Sequence, residues 1–285
     1  PQFVFMIYYL LYIISIINIL IAQGQYQIIQ LPNNALDLIS NQSTLIINNT
    51  NVAKVNSNFS TTLISYPANI NFCNFQMKQF SISVLNYGVL KDQVNNDVFK
   101  TFSANEYYLQ YFINKKINNN INLYYSIGTA YSQIYNYNSL LVASSLKIKK
   151  YFSKYKFHIS AGINNAGFII KEYRQANTKL PMEYQLGIGY YFKNISIGYD
   201  LIYHYQDNHI TDIICLKINI INNINLILSN TNHLKKLSSE NDLNYLSGFS
   251  GGVDFVINNT NINMGFFNLG PAGMSSAITI NYKLF

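Results

Sequence analysis

The sequence predicts an all-β protein, a closed antiparallel transmembrane β-barrel of about fourteen strands. Three observations lead to this prediction. Runs of about ten residues alternate apolar and polar side chains, and the connections between these runs alternate between short and long. Charged residues make up only 11% of the chain. Strands in soluble sheets average about five or six residues, whereas a strand that crosses a membrane needs roughly nine to eleven.

The composition supports a protein without a large water-facing surface. Hydrophobic residues make up 49% of the 285 residues, and the charged fraction is well below the roughly 25% of an average soluble domain. The 25 Tyr and 18 Phe suit the aromatic girdles of a membrane barrel. An AT-rich genome would also raise Asn, Ile, Tyr and Phe, but it would raise Lys too, and Lys is scarce. The alternative fold, a large soluble β-sandwich, requires shorter strands and a more charged outer face.

The N-terminus carries an apolar run, "IYYLLYIISIINILI", at residues 7–21. Ala22 and Gly24 follow it as small residues two positions apart, so residues 1–24 are predicted to be a signal peptide that is cleaved after Gly24. The alternative is a transmembrane anchor, because residues 3–22 are long enough to span a bilayer and no positive charge precedes them. Residues 25–53 are predicted to form a periplasmic or lumenal segment, and residues 54–285 the barrel.

The clearest strand pair lies on either side of a turn at residues 193–194. Its apolar face carries Leu186, Ile188, Tyr190, Phe192, Ile195, Ile197, Tyr199 and Leu201. This face is predicted to contact lipid, while Asp200 and His204 on the other face are predicted to line the lumen. Gly187, Gly189 and Gly198 share the lumenal face; they either permit a kinked strand or make room in a crowded lumen, and the second explanation is the commoner one.

The connections predict which side of the membrane each loop faces. Short polar turns are expected near residues 78–79, 115–120, 152–154, 193–194, 222–223 and 258–260. Longer loops are expected near residues 65–69, 88–100, 133–138, 165–179, 206–211, 231–247 and 268–273. This order places both ends of the barrel on the short-turn, periplasmic side. The alternating run at residues 278–284 is then the last strand, and it must pair with the first to remove the sheet edges.

No catalytic, cofactor or metal site is expected, and the protein is predicted not to be an enzyme. His158, His204, His209 and His233 have no cysteine or carboxylate at ligand spacing, and "GFSGG" at residues 248–252 lacks the Lys-Ser/Thr of a phosphate loop. Cys73 and Cys215 are interpreted as two buried thiols. The net charge of +7 is scattered, so no nucleic-acid partner is expected. An acid–base group assembled from distant strands is not visible in a sequence.

Several short motifs follow one another in the order of a known family. They are "QIIQLPNNAL" (27–36), "LNYGVLKD" (85–92), "TFSANEY" (101–107), "YSQIYNYNS" (131–139), "NNAGFIIKEY" (164–173), "LPMEYQLGI" (180–188), "GFSGG" (248–252) and "AGMSS" (272–276). In this order and spacing, nearly the whole mature chain resembles the PorQ family of the type IX secretion system of Bacteroidota, whose members are FadL-like outer-membrane barrels. Leu36 and Gly251 stand where that family has Arg and Trp.

The resemblance implies a barrel in the outer-membrane lipid that anchors a surface attachment complex through a PorZ-like protein. The alternative is a FadL-like transporter of small hydrophobic molecules. For the anchor, two of the longer loops concentrate the scarce charge and are expected to dock the partner, because a barrel in lipid has little other exposed area. The docking residues predicted in these loops are Lys171, Glu172, Arg174, Lys179, Lys235, Lys236, Glu240 and Asp242.

Overall fold

The computed structural model describes residues 27–47, 59–94, 98–173, 180–221, 223–232 and 246–283. Fourteen antiparallel strands close into a barrel in which each strand pairs with its sequence neighbours and β1 pairs with β14. The strands β1 to β14 are Phe59–Tyr66, Ile70–Met77, Phe80–Val94, Val98–Asn118, Ile121–Ile134, Tyr137–Phe152, Phe157–Lys171, Glu183–Tyr191, Ile195–His204, His209–Ile221, Ile224–Thr231, Phe249–Ile257, Thr260–Asn268 and Met274–Tyr282. The predicted fold class is confirmed.

The barrel is apolar outside and polar inside. Large hydrophobic side chains are exposed along the outer wall, among them Leu186 at 61% and Ile188 at 50%, whereas Asp200 in the neighbouring strand is fully buried. The buried set contains many Ser, Thr, Asn and Gln side chains. This pattern is the reverse of a soluble protein, and it suits a wall that separates lipid from a polar lumen. The predicted faces of β8 and β9 agree with the structure.

The connections on one side are longer than those on the other, but some strands extend further than the sequence predicts. Residues 88–100 are mostly a paired hairpin, because β3 and β4 remain in register from Val89–Ser103 to Val94–Val98 beyond a bulge after Asn86. Likewise, β7 continues to Lys171 and pairs there with β6. Continued pairing satisfies backbone groups that a loop would leave to solvent, which is why these predicted loops are shorter than expected.

The two cysteines differ from the prediction that both are buried. Both are free thiols, but Cys73 is exposed on the outer face of β2 and only Cys215 is buried. Cys73 pairs across the sheet with Leu63, which is 52% exposed. Cys73 lies on the apolar outer face of the barrel, where lipid and not protein would surround the thiol. A cysteine in an apolar strand pattern is therefore not always buried in the protein.

Residues 27–47, which we call the lumenal segment, lie inside the barrel. The segment contains a 3₁₀ turn at Gln27–Ile29 and two short helices, α1 (Ala35–Ile39) and α2 (Thr44–Ile47). Asn34 caps α1 by accepting a hydrogen bond from the Asp37 amide at 2.9 Å. Helix α1 contacts β11–β14 and β1, and α2 contacts β8 and β9. No helix in the described part of the chain has the length and apolar character to span a bilayer.

Candidate functional site

The candidate site is the lumen, where polar wall residues hold the lumenal segment. The strongest attachment is at Asp200 on β9, whose carboxylate accepts hydrogen bonds from the Ser43 hydroxyl at 2.5 Å, the Thr44 hydroxyl at 2.5 Å and the Thr44 amide at 3.1 Å. All three residues are at most 5% exposed. Hydrogen bonds to an ionised carboxylate are among the stronger ones in proteins, so Asp200 fixes the start of α2 to the wall.

A second attachment holds the end of α1. The hydroxyls of Ser229 on β11 and Ser250 on β12 donate to the Ile39 carbonyl at 2.8 and 2.5 Å. The Asn41 side-chain amide donates to the Ser229 hydroxyl at 2.6 Å and to the Ser250 hydroxyl at 3.1 Å. These wall groups satisfy a carbonyl at the helix end that has no partner within the helix.

Three further attachments complete the ring around the lumenal segment. The Ile28 amide donates to Glu106 at 2.9 Å, the Ala35 amide donates to Thr279 at 2.8 Å, and the Lys149 ammonium donates to the Thr44 carbonyl at 2.7 Å. Because the wall partners lie on β4, β14 and β6, the segment is tied to opposite sides of the barrel. The apolar side chains of the segment pack among them, so the segment closes much of the lumen.

Glycines on the lumenal face leave space for the segment. A Cβ atom on Gly198 would lie 2.7 Å from the Leu45 Cβ, and one on Gly189 would lie 2.9 Å from the Leu45 Cδ1. A Cβ on Gly187 would lie 2.2 Å from the Thr44 hydroxyl. No register shift interrupts the pairing of β8 with β9. The glycines of this strand pair therefore serve a crowded lumen and not a kink.

A vestibule of about 440 Å³ opens between the lumenal segment and the wall at the long-loop side of the barrel. Leu31 and Leu38 of the segment and Ile202, Ile213 and Phe267 of the wall give it apolar surface. Polar groups are also present, and its wall includes a contact between His204 Nδ1 and the Glu183 carboxylate at 3.2 Å. Ligand pockets typically have a volume of about 300–1,000 Å³ and are lined by apolar side chains with a few polar groups. The vestibule is therefore large enough for a small molecule.

On the lipid side, a groove of about 930 Å³, the outer groove, runs across β1, β2 and β11–β14. Its lining includes Gly252, Gly265 and Ala277, which we call the small-residue row. These three residues are aligned across β12, β13 and β14 and point into the lumen. A Cβ on Gly265 would lie 2.3 Å from the Ile39 Cγ1. At Gly252 and Gly265, only backbone separates the outer groove from Ile39 of the lumenal segment.

The structure places two of the predicted docking residues. Lys171 and Glu172 are exposed at the end of β7 on the long-loop side, and the Lys171 ammonium donates a hydrogen bond to the Asn138 side chain. Arg174, Lys179, Lys235, Lys236, Glu240 and Asp242 lie outside the described residues, as do the predicted signal peptide and its cleavage site. The docking surface therefore stays a prediction.

The sequence does not reveal the residues that hold the lumenal segment. Its alternation predicts Asp200 only as lumen lining and does not link Glu183 to His204, although the two face each other across β8 and β9. One signal was present: Asn34 three residues before Asp37, followed by apolar residues, is typical of a helix start. Among the described residues no group of histidine, cysteine, aspartate and glutamate is arranged to hold a metal ion.

Comparison with known proteins supports the fold. No protein-family model matches the sequence, and the search of curated proteins found no match. Among solved structures, a ΔS2S3 mutant of the monoaromatic hydrocarbon channel TodX is similar, with a TM-score of 0.57 and 9% identity over 88% of this chain and 99% of that chain. The toluene transporter TbuX of Ralstonia pickettii has a TM-score of 0.49 and 8% identity over 80% of this chain and 89% of that chain.

The first of these similarities shows that the chain shares the barrel fold of this channel. At this level of identity the similarity concerns the fold alone. Together with the exposed apolar outer wall, this fold supports a location in the outer membrane.

Proposed function

We propose that the protein is a FadL-like outer-membrane channel for small apolar molecules. The observation that carries the proposal is the small-residue row, where at Gly252 and Gly265 only the backbone of two strands separates the apolar outer groove from Ile39 of the lumenal segment. The most similar solved fold described above belongs to a monoaromatic hydrocarbon channel. This supports the same class of substrate.

The proposed route starts in the vestibule, where Leu31, Leu38 and Phe267 give an apolar molecule favourable contacts. It continues along α1 to the small-residue row and ends in the outer groove. The strands are paired without a register shift at this level, so passage requires Ile39 to withdraw and the wall to part. An exit into lipid avoids the polar groups on the periplasmic side of the lumen, which an apolar molecule does not solvate.

The test is uptake of a monoaromatic hydrocarbon such as toluene by cells that express the barrel. Gly251 lines the outer groove, and a Cβ there meets only the side chains of Leu228 and Phe266, at 3.2 Å or more. Gly251→Leu should therefore fill the groove and slow uptake. Ala161→Leu is the matched control because residue 161 is exposed on the outer face of β7, where its partner Leu186 is also exposed.

Both variants must first show the heat-modifiable gel mobility of a folded barrel. Slower uptake in Gly251→Leu with normal uptake in Ala161→Leu supports the proposed exit. Equal uptake in the two variants argues against an exit through this wall. If cells with the unaltered barrel take up toluene no faster than cells without it, the proposed function is wrong.

The ordered motifs support a second candidate function, anchoring of a type IX secretion attachment complex. The charged long loops are the proposed contact for a PorZ-like partner. The test replaces residues 171–179 and 234–242 with short Gly-Ser turns and measures how much partner the cell surface retains. Loss of the partner from a barrel that still folds supports docking at these loops, whereas full retention removes them from the docking site.

A further inference from the structure

A line of adjacent cavities passes the lumenal segment on the side of the lumen away from the small-residue row. The vestibule shares Gln30, Gln42 and Glu183 with a middle cavity of about 70 Å³. The middle cavity shares Gln42, Gln110 and Lys147 with a lower cavity of about 140 Å³. We call this series of cavities the polar passage.

The lower cavity extends towards the short-turn side of the barrel. Its lining includes Gln76 near the end of β2 and Asn114 near the end of β4. The polar passage thus leads from the long-loop side towards the periplasmic side without crossing the wall. The route proposed for apolar molecules shares the vestibule with the polar passage, but below the vestibule it follows the other side of α1.

The lining of the lower two cavities suits water and polar solutes. Most of it consists of amide and hydroxyl side chains, among them Asn33, Gln42, Asn74, Gln110, Asn114 and Asn164. Such groups replace part of the hydration shell of a polar solute or an ion. An apolar molecule gains nothing from them, because these groups would lose hydrogen bonds to water.

Lys147 on β6 lies where the middle and lower cavities meet. Its stem crosses Gly162, where a Cβ would lie 2.7 Å from the Lys147 Cγ. Its side chain lines the middle cavity together with Glu183 and the lower cavity together with Asp37 of α1. Within the described residues, no carboxylate lies within the 4.0 Å of an ion pair with its ammonium. The ammonium is therefore available to ions in the two cavities.

Asp37 supplies the opposite charge from the lumenal segment. Its carboxylate accepts a hydrogen bond from the Asn34 amide at 2.7 Å, which holds it at the start of α1, and it lines the lower cavity together with Lys147. A cationic group on the wall and an anionic group on the segment thus line the same lower cavity of the polar passage, next to the small middle cavity. Charged groups at a constriction are what determines ion selectivity in pores.

We propose that the polar passage conducts water, inorganic ions and small polar solutes past the docked lumenal segment, and that Lys147 and Asp37 determine its ion selectivity. The test uses the full-length barrel in planar lipid bilayers under a KCl gradient. The unaltered barrel should conduct above the protein-free bilayer. Lys147→Met should shift the reversal potential towards that of K⁺, and Asp37→Asn should shift it towards that of Cl⁻.

Each variant should change the ratio of K⁺ to Cl⁻ permeability by about thirtyfold, because one unit charge acting across about 4 Å of water changes the permeability of each ion by about fivefold, in opposite directions for K⁺ and Cl⁻. Lys150→Met is the matched control, because it removes the same charge from the same strand at an exposed side chain whose ammonium lies over the Phe152 ring. Its reversal potential should match that of the unaltered barrel.

Opposite shifts in the two variants, with none in Lys150→Met, support the polar passage. The inference is wrong if the unaltered barrel carries no more current than the protein-free bilayer. It is also wrong if the reversal potentials stay unchanged in both lumenal variants. A barrel that takes up toluene but carries no current refutes this inference and leaves the proposed function intact. A barrel that carries selective current but does not take up toluene supports this inference and refutes the proposed function.

Discussion

Replacing Asp200 with alanine should undock α2 from the barrel wall. The carboxylate receives three donors, the hydroxyls of Ser43 and Thr44 and the Thr44 amide, and a hydrogen bond to a charged group contributes about 1.5–3 kcal/mol. The lower end of that range applies here because the donors regain water when they undock. Three bonds then contribute about 4.5 kcal/mol, which corresponds to a roughly thousandfold larger undocked population.

Native-state hydrogen exchange measures this population, because the protection of an amide reports the free energy of the opening that exposes it. The amides of Thr44 and Ile46 should lose protection in Asp200→Ala. Asp254→Ala is the matched control, since Asp254 is also buried but accepts its hydrogen bonds from Asn225 and Asn263 of the wall. It should leave the protection of these amides unchanged.

An unchanged protection of Thr44 and Ile46 in a folded Asp200→Ala barrel would refute this reasoning, because the packing of the segment would then suffice to hold it. Equal loss in both aspartate variants would also refute it, since the effect would come from general weakening of the wall. Asp200→Asn should give an intermediate loss, because the amide oxygen still accepts one or two of the three bonds but carries no charge.

Three further predictions test the faces of the barrel. Ile197→Arg places a charge on the lipid face near mid-span and should cost about 2–4 kcal/mol, measured by urea titration in lipid vesicles, whereas Asn194→Arg in a short turn should cost far less. A membrane-soluble maleimide should label Cys73, which is exposed on the outer wall, and should leave Cys215 unmodified in the folded barrel; labelling of both would contradict the assigned faces. Gly265→Val should increase hydrogen exchange in α1, because its side chain would collide with the end of that helix; unchanged exchange would mean that the two do not pack together.

The strand faces were predictable because their cause is local. In a strand, successive side chains point to opposite faces, so alternation in residues 186–201 assigns lipid and lumen without knowledge of the partners. The number of strands followed from the same alternation and from the spacing of turns. The prediction of a loop at residues 88–100 was wrong for a physical reason of the same kind. A hairpin that leaves the membrane loses its apolar pattern, but its two strands keep their backbone pairing.

The sequence by itself determined a barrel of alternating strands with an apolar outer wall and polar residues inside, since these features depend on neighbours along the chain. Only the tertiary structure decided what the polar residues do. Asp200 lies 156 positions from Thr44, yet they are hydrogen-bonded. Gly265 shows its role only beside Ile39. Closure of the barrel brings distant strands around the lumenal segment, and the space and charge inside result from this three-dimensional arrangement, which alternation along a single strand does not encode.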